Sequence, residues 1–163
     1  MLFNALNMNE LLRHYHLETE ATDGVIPVLV SGLPGNMATL AAEALSRDDR
    51  FRLLPFAITS ARQRSTSQTL SGGQRIDLLN YYPFDVPPKT IAIDYTTPQS
   101  AELNAINYTR REISFVMGTT VRNFEVIEEM VKNSDISAVI APNMAAPVVE
   151  LQDELANLLK TSP

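Results

Sequence analysis

The chain has 163 residues, of which 45% are hydrophobic, and this is enough for one domain with a well-filled core. It has no cysteine, which excludes disulfides and thiolate metal sites, and its net charge of −6 disfavours nucleic acid as a partner. No apolar stretch reaches the roughly 18 residues of a membrane span, so we expect a soluble protein with no integral membrane segment and no secretory signal.

The first predicted element is an amphipathic helix near the N-terminus. Its apolar stripe has the i, i+3, i+4, i+7 spacing and consists of Met8, Leu11, Leu12 and Tyr15. The acidic stretch 17–24 breaks this pattern and is interpreted as a linker. We therefore divide the chain into residues 1–24, helix and acidic linker, and a main domain over 25–163. The stripe is expected to dock on that domain or on a second copy of the chain, giving a homo-oligomer.

In the main domain, β-type runs alternate with helical periods, which is typical of parallel βαβ units. Strands are predicted at 25–31, 51–59, 90–95, 113–118 and 136–141. Helices are predicted between them: one with an apolar face of Met37, Leu40, Ala41, Ala44 and Leu45, one with a face of Phe124, Ile127 and Val131, and a last one over about 146–160. The predicted fold class is α/β, a Rossmann-like, doubly wound, mostly parallel sheet flanked by helices and preceded by the amphipathic helix.

Residues 60–89 interrupt this alternation. The pair Gly72-Gly73 lies between β-capable runs and predicts a hairpin, and the prolines of the segment YYPFDVPP argue against a long helix before Thr90. We expect extended structure in place of one crossover helix.

A glycine turn follows the first predicted strand. Gly32 and Gly35 have the spacing G-x-x-G, and Ala38 is small enough for close packing of the next helix. Such a turn can cradle a pyrophosphate at the N-terminus of the helix. It can equally be a strand-to-helix turn that needs glycine for steric reasons alone, and the sequence leaves both interpretations open.

The segment after the second predicted strand is basic. It runs from Thr59 to Arg64 as TSARQR and contains no acid to bind ribose hydroxyls, so a bound cofactor would be NADPH rather than NADH. The alternative is a solvated basic loop.

Other polar residues are weaker candidates. His14 and His16, at i and i+2 of a helix, point about 200° apart and do not ligate one metal together, so no metal site is predicted. Asp94, at the end of the third predicted strand, is either catalytic or a cap of the following turn.

Four segments at predicted strand ends resemble successive cofactor-side motifs of dihydrodipicolinate reductase, especially of the plant type. They are GLPGNM (32–37), IDYTTP (93–98), FVMGTT (115–120) and APNM (141–144), and the resemblance covers about residues 25–150. It implies a pyrophosphate cradle at Gly32, Gly35 and Met37. It also implies a ribose or 2′-phosphate site at Ser60 and Arg62, and a wall beside the nicotinamide at Gly118 and Thr120.

The chain departs from that family in two respects. Ala38 and Val121 stand where the family usually has glycine, and Val121 is expected to add bulk facing the nicotinamide space. The family also has a substrate domain, with a His-His-x-x-Lys motif and a Ser-Gly-Thr loop, that these 163 residues do not contain. We therefore expect no catalytic residues and no enzymatic turnover from the chain as given.

Three functions follow from these observations. The first is a non-enzymatic interaction or protein-targeting module that needs no cofactor and binds a protein partner or carried cargo. It resembles, in architecture only, folded N-terminal extensions that address cargo to the chromatophore of a photosynthetic amoeba, and it implies the cytoplasm or a plastid- or chromatophore-type organelle. The alternatives are the NADPH-binding half of an active 4-hydroxy-tetrahydrodipicolinate reductase of lysine biosynthesis, and a stand-alone NADPH sensor.

Overall fold

The structure, a computed structural model, describes residues 24–60, 62–64, 66–82 and 86–142, together with residues 150, 154 and 157. The predicted N-terminal helix and most of the predicted linker lie outside the described residues. Of the helix predicted over 146–160, only Glu150, Glu154 and Asn157 are described, and these three are helical.

A seven-stranded sheet forms the centre of the domain, in the order β3-β4-β2-β1-β5-β6-β7. The strands are β1 (Ile26–Ser31), β2 (Phe51–Ile58), β3 (Ser67–Thr69), β4 (Arg75–Leu79), β5 (Ile91–Asp94), β6 (Ser114–Met117) and β7 (Ala138–Ile140). All neighbouring strands are parallel except β3 and β4. Three helices are described in full, α1 (Asn36–Leu45), α2 (Pro98–Arg110) and α3 (Phe124–Lys132). The predicted mostly parallel α/β fold and its five predicted strands are confirmed.

The central strand β1 marks the point where the chain changes direction across the sheet. From β1 the chain passes through α1 to β2 on one side, and after β4 it crosses to β5 on the other side. Val28, Leu29 and Val30 are almost fully buried, since both faces of β1 are covered. The carboxyl ends of β1, β2, β5 and β6 consequently lie along one edge of the sheet.

The predicted hairpin is also confirmed. Leu70 and Gln74 close the turn between β3 and β4 through the Leu70 N–H to Gln74 C=O bond of 2.9 Å, and Gly73 takes a φ of 85°. Strand β4 then pairs in parallel with β2, in the position that a strand after a crossover helix would take.

The predicted inward face of α1 is confirmed at Leu45, which packs partly buried against the core, and is wrong for its other large residues. Met37 and Leu40 are 54% and 63% exposed, and the residues that α1 buries are Ala38 and Ala42. Both belong to the hydrophobic cluster that contains Val28 and Val30 of β1. Methyl side chains allow the helix backbone to approach the sheet closely, so the small residues face inward and the longer ones lie outside.

The predicted face of α3 is partly confirmed. Ile127 is buried and Val131 packs against the core, but Phe124 is 46% exposed. Phe124 is the first residue of the helix, and helical side chains point back toward the N-terminus, so its ring projects past the end of the helix.

We predict that Ala42→Leu lowers the free energy of unfolding by about 1–3 kcal/mol, because a larger side chain does not fit between α1 and the sheet. The matched control is Ala44→Leu, an exposed position on the same helix, which is expected to change stability by less than about 0.5 kcal/mol. Urea unfolding of both variants measures the difference, and equal effects would mean that α1 packs through another face.

Candidate functional site

A cleft of about 370 Å³ lies at the carboxyl ends of β1, β2 and β5. Its walls are the turn 32–35, residues 58–60 and 62–63 after β2, the loop 95–97 after β5, and Ser100 and Asn104 of α2. It is located beside β1, where the chain changes direction across the sheet. Open α/β sheets bind ligands in this crevice.

The two glycines of the turn are required by its own packing. Gly32 has a φ of 110°, and a Cβ there would lie 2.6 Å from the Tyr95 carbonyl oxygen. A Cβ on Gly35 would lie 2.8 Å from the Gly32 carbonyl oxygen. The N–H of Gly32 donates to the Ile58 carbonyl and that of Gly35 to the Gly32 carbonyl, each at 2.8 Å. The glycine N–H groups are therefore already bonded within the protein.

The start of α1 adjoins the cleft, because its N-cap residue Gly35 is part of the cleft lining. The helix begins at Asn36, no side chain caps it, and its first turn contains no acidic residue. The first backbone bond of the helix runs from the Thr39 N–H to the Gly35 carbonyl at 2.9 Å. The N–H groups of residues 36–38 precede that bond, and such groups with the helix dipole form a site for an anion.

The segment after β2 supplies the positive charge of the cleft. Thr59 anchors this segment, since its hydroxyl donates to the Leu33 carbonyl at 2.7 Å and its N–H to the Leu79 carbonyl at 2.7 Å. Ser60 and Arg62 are exposed and line the cleft. Among the residues that the structure describes, Arg62 is the only charged side chain in the lining, and no carboxylate is part of it.

The third wall is held by Asp94, whose side chain is completely buried. Its Oδ1 accepts bonds from the Thr96 N–H at 2.8 Å and the Thr96 hydroxyl at 2.6 Å. Its Oδ2 accepts from Asn104 Nδ2 at 2.8 Å and from the Tyr108 hydroxyl at 2.9 Å. The structure thus favours the turn-capping interpretation of Asp94.

Tyr108 links this network to β1. Its hydroxyl oxygen lies 2.7 Å from Ser31 Oγ, and its side chain is completely buried. Burial raises the pKa of Tyr108 well above its ordinary value, so the phenol stays protonated and remains a donor to Asp94.

Tyr95 packs against Gly118, one of the two residues at which the resemblance implies a wall beside the nicotinamide. Its ring lies against Gly118, and a Cβ on Gly118 would overlap the ring. Gly118 is held there by its N–H, which donates to the Asp94 carbonyl at 2.9 Å. Tyr95 is part of the cleft lining, whereas Gly118 is not. Tyr95 is not among the site residues predicted from the sequence, although it lies in the motif IDYTTP.

Only some of the site residues predicted from the sequence therefore lie in the cleft lining. Gly32, Gly35, Ser60 and Arg62 come together in the cleft lining. Met37 has an exposed side chain and is near the site only through its backbone at the start of α1, and Thr120 and Gly118 are outside the lining. Thr119, the neighbour of Thr120, is buried and donates to the Thr96 carbonyl at 2.9 Å, which ties the loop after β6 to the loop after β5.

Val121 lies at the margin of the hydrophobic core. Its side chain is half-buried and packs against the hydrophobic cluster that contains Tyr108 and Ile127, and it does not line the cleft. The backbone at Val121 also avoids positive φ, so this turn does not need the glycine that the family usually has.

The described ranges contain no group of three or more His, Cys, Asp or Glu side chains that could hold a metal ion. None of their helices combines the length and the apolar character needed to cross a membrane. His14 and His16 lie outside these ranges.

Comparisons with known proteins agree on one family. Residues 26–144 match the family model described as "Dihydrodipicolinate reductase, N-terminus". The chain is 32% identical over 131 residues to the probable 4-hydroxy-tetrahydrodipicolinate reductase 2, chloroplastic, of Oryza sativa subsp. japonica, covering 76% of this chain and 40% of that protein. It is 28% identical over 142 residues to the 4-hydroxy-tetrahydrodipicolinate reductase 1, chloroplastic, of Arabidopsis thaliana, covering 80% and 41%.

A solved structure supports the fold. The aspartate semialdehyde dehydrogenase II of Vibrio cholerae, complexed with ASA, superposes with a TM-score of 0.51 at 17% identity, covering 71% of this chain and 41% of that one.

These comparisons correct the expectation that the chain is not an enzyme. The rice and Arabidopsis relatives are named as reductases, and neither name describes a targeting or cargo-carrying module. The chain spans less than half of the length of either relative.

We predict that Gly32→Ala destabilises the protein by about 2 kcal/mol or more, because the new Cβ adds a backbone clash to an unfavourable φ. The matched control is Gly73→Ala, which has a φ of 85° but nothing within 4 Å of the added carbon. Its loss should be limited to about 1 kcal/mol. Thermal unfolding compares the two, and an equal loss would show that the contact with Tyr95 is unimportant.

We predict that Tyr108→Phe lowers the free energy of unfolding by about 1–3 kcal/mol, since Asp94 and Ser31 lose their shared partner. Tyr82→Phe is the comparison, because the buried Tyr82 hydroxyl lies near Tyr108 and Ser31 and interacts with them electrostatically, but makes no hydrogen bond of good geometry to a described residue. It should leave stability unchanged or slightly raise it. Chemical unfolding of both variants checks this, and a larger loss for Tyr82→Phe would contradict the assignment.

Proposed function

The chain belongs to the dihydrodipicolinate reductase family through the N-terminal domain of that family, and on this premise we propose that it is the NADPH-binding half of a 4-hydroxy-tetrahydrodipicolinate reductase. The proposal rests on one observation above all. The cleft beside β1 combines an uncapped helix N-terminus with Arg62 and has no carboxylate in its described lining. Such a cleft suits a ligand with several negatively charged phosphate groups.

Two parts of the cleft would bind different phosphate groups of NADPH. The N–H groups at the start of α1 would receive the pyrophosphate, because the glycine N–H groups are already bonded within the turn. Ser60 and Arg62 would receive the 2′-phosphate, at the position where NADH-specific sites carry an acid. The absence of an acid there favours NADPH over NADH.

The loop after β5 would form the wall beside the nicotinamide. Tyr95 is held against Gly118 and offers its ring to the cleft, and its loop is fixed by Asp94 and Thr119. NADPH supplies the hydride when it is bound. The contribution of these residues would be to hold the Tyr95 ring in a fixed place, and hydride transfer requires such a fixed geometry.

The reaction itself would also need a substrate domain. Hydride transfer requires donor and acceptor carbons within about 3–3.5 Å, and the resemblance assigns the dicarboxylate-binding residues to that second domain. We therefore place the activity in an enzyme formed by this half and such a domain. A plastid location is proposed with it, on the chloroplastic names of the plant relatives.

We predict that the purified chain binds NADPH more tightly than NADH, and that Arg62→Ala weakens NADPH binding about tenfold while NADH binding changes little. The reason is that only NADPH carries the 2′-phosphate that Arg62 would contact. Quenching or enhancement of the reduced nicotinamide fluorescence on titration measures both affinities.

The control variant is Lys132→Ala, which removes a cation from α3 outside the cleft and should leave both affinities unchanged. If the unmodified chain binds neither cofactor at millimolar concentration, the proposed function fails. If it binds both equally and Arg62→Ala has no effect, the assignment of the 2′-phosphate site fails.

A further inference from the structure

A second cavity lies at the opposite edge of the sheet from the cleft. It has a volume of about 400 Å³ and is lined by residues 86–90, which lead into β5, and residues 110–113, which lead into β6. Since β5 and β6 are parallel, their amino ends share this edge, and the cavity has no lining residue in common with the cleft.

Two residues in the lining have an unusual backbone. Lys89 has a φ of 62° and Glu112 a φ of 56°, and they are the only non-glycine residues with positive φ in the part of the chain that the structure describes. Lys89 lies in a turn closed by the Thr90 N–H to Pro87 carbonyl bond of 3.3 Å. Glu112 follows the C-cap residue Arg111 of α2, in a turn where the Ile113 N–H donates to the Tyr108 carbonyl at 3.0 Å.

Glycine is the usual residue at both kinds of position, because it adopts positive φ without a steric cost. Here each position carries a charged side chain instead, and both border one cavity. Backbone strain of this kind is concentrated at ligand sites.

The charges of the described lining residues are mainly positive. Among them, Lys89, Arg110 and Arg111 outnumber the acid Glu112, in a protein whose net charge is −6. The side-chain ion pairs identified among the described residues use Arg47, Arg50, Arg75 and Lys132, and none uses these three cations.

Arg111 is the most firmly positioned of the three. Its guanidinium carbon lies 5.4 Å from the centre of the Tyr82 ring, and its Nη1 donates to Asn107 Oδ1 at 3.1 Å. Its Nε is buried and has no hydrogen-bond acceptor among the described residues. Among the described residues, the guanidinium is thus held by an aromatic ring and a neutral amide, and no carboxylate of these residues forms an ion pair with it.

We propose that this cavity binds a small oxyanion with at least two negative charges, at a site separate from the NADPH cleft. Lys89 and Arg111 would provide the charge, and the two strained turns would hold the cations in place. Phosphate and small dicarboxylates are both oxyanions of this kind, and separate titrations with each distinguish them.

The test is a titration of the ¹⁵N-labelled chain with inorganic phosphate and, separately, with succinate, each to about 20 mM at constant ionic strength. Saturable shifts of the amide signals of Lys89, Thr90, Glu112 and Ile113 are expected with at least one of the two anions. The anion that gives them identifies the class of ligand. The proposal is overturned if neither anion produces saturable shifts of these signals. It is also overturned if the shifts are confined to the start of α1.

The decisive variant is Lys89→Gly, which removes a cation while keeping the positive φ, so it should fold at least as well. We expect this variant to weaken binding of the anion about tenfold. The matched control is Glu112→Gly, which relieves the same kind of strain but removes the acid, and it should bind the anion equally well or more tightly. If Lys89→Gly and the unmodified chain bind the anion with equal affinity, the proposed anion site is overturned, whatever the result of the NADPH titration.

Discussion

The buried carboxylate of Asp94 is the interaction on which the candidate site depends. A buried acid without partners is very unfavourable, but this one accepts four hydrogen bonds from Thr96, Asn104 and Tyr108. Those partners belong to the loop after β5 and to α2, and Tyr108 extends the network to Ser31 of β1. The carboxylate therefore fixes the loop that carries Tyr95 relative to the central strand.

The position of Tyr95 then explains both glycine segments that stand out in the sequence. Its carbonyl oxygen lies where a Cβ of Gly32 would be, and its ring lies where a Cβ of Gly118 would be. The glycines allow three neighbouring strand ends to approach one another. The steric and phosphate-binding interpretations of the turn are consequently compatible, because the glycines shape the turn and the start of α1 supplies the free donors.

Periodicity and turn residues were sufficient to predict the strands and the hairpin, since continuous apolar runs and the pair Gly72-Gly73 leave few alternatives. The inward face of α1 was missed because periodicity favours large apolar residues, while close packing selected Ala38 and Ala42. The place of Val121 depends on its packing against the hydrophobic cluster, a tertiary contact that no local pattern reveals.

The expectation of a non-enzymatic chain had a different origin. It was argued from residues that the chain does not contain, and such an argument does not test what the residues present are built to do. The cavity at the other sheet edge was missed for the opposite reason. Lys89 and Glu112 occupy turns that glycine usually marks, so nothing in the sequence signals a positive φ there.

The two sheet edges are electrically separate. Strand β5 has four residues and spans about 13 Å, which exceeds the Debye length of about 8 Å at physiological ionic strength. An anion at the carboxyl edge therefore has little effect, through solvent, on one at the amino edge. Among the described lining residues, the cleft at the carboxyl edge contains the cation Arg62, and the cavity at the amino edge contains Lys89, Arg110 and Arg111. On a chain of net charge −6, the local charge at both edges therefore differs from the acidic average of the protein.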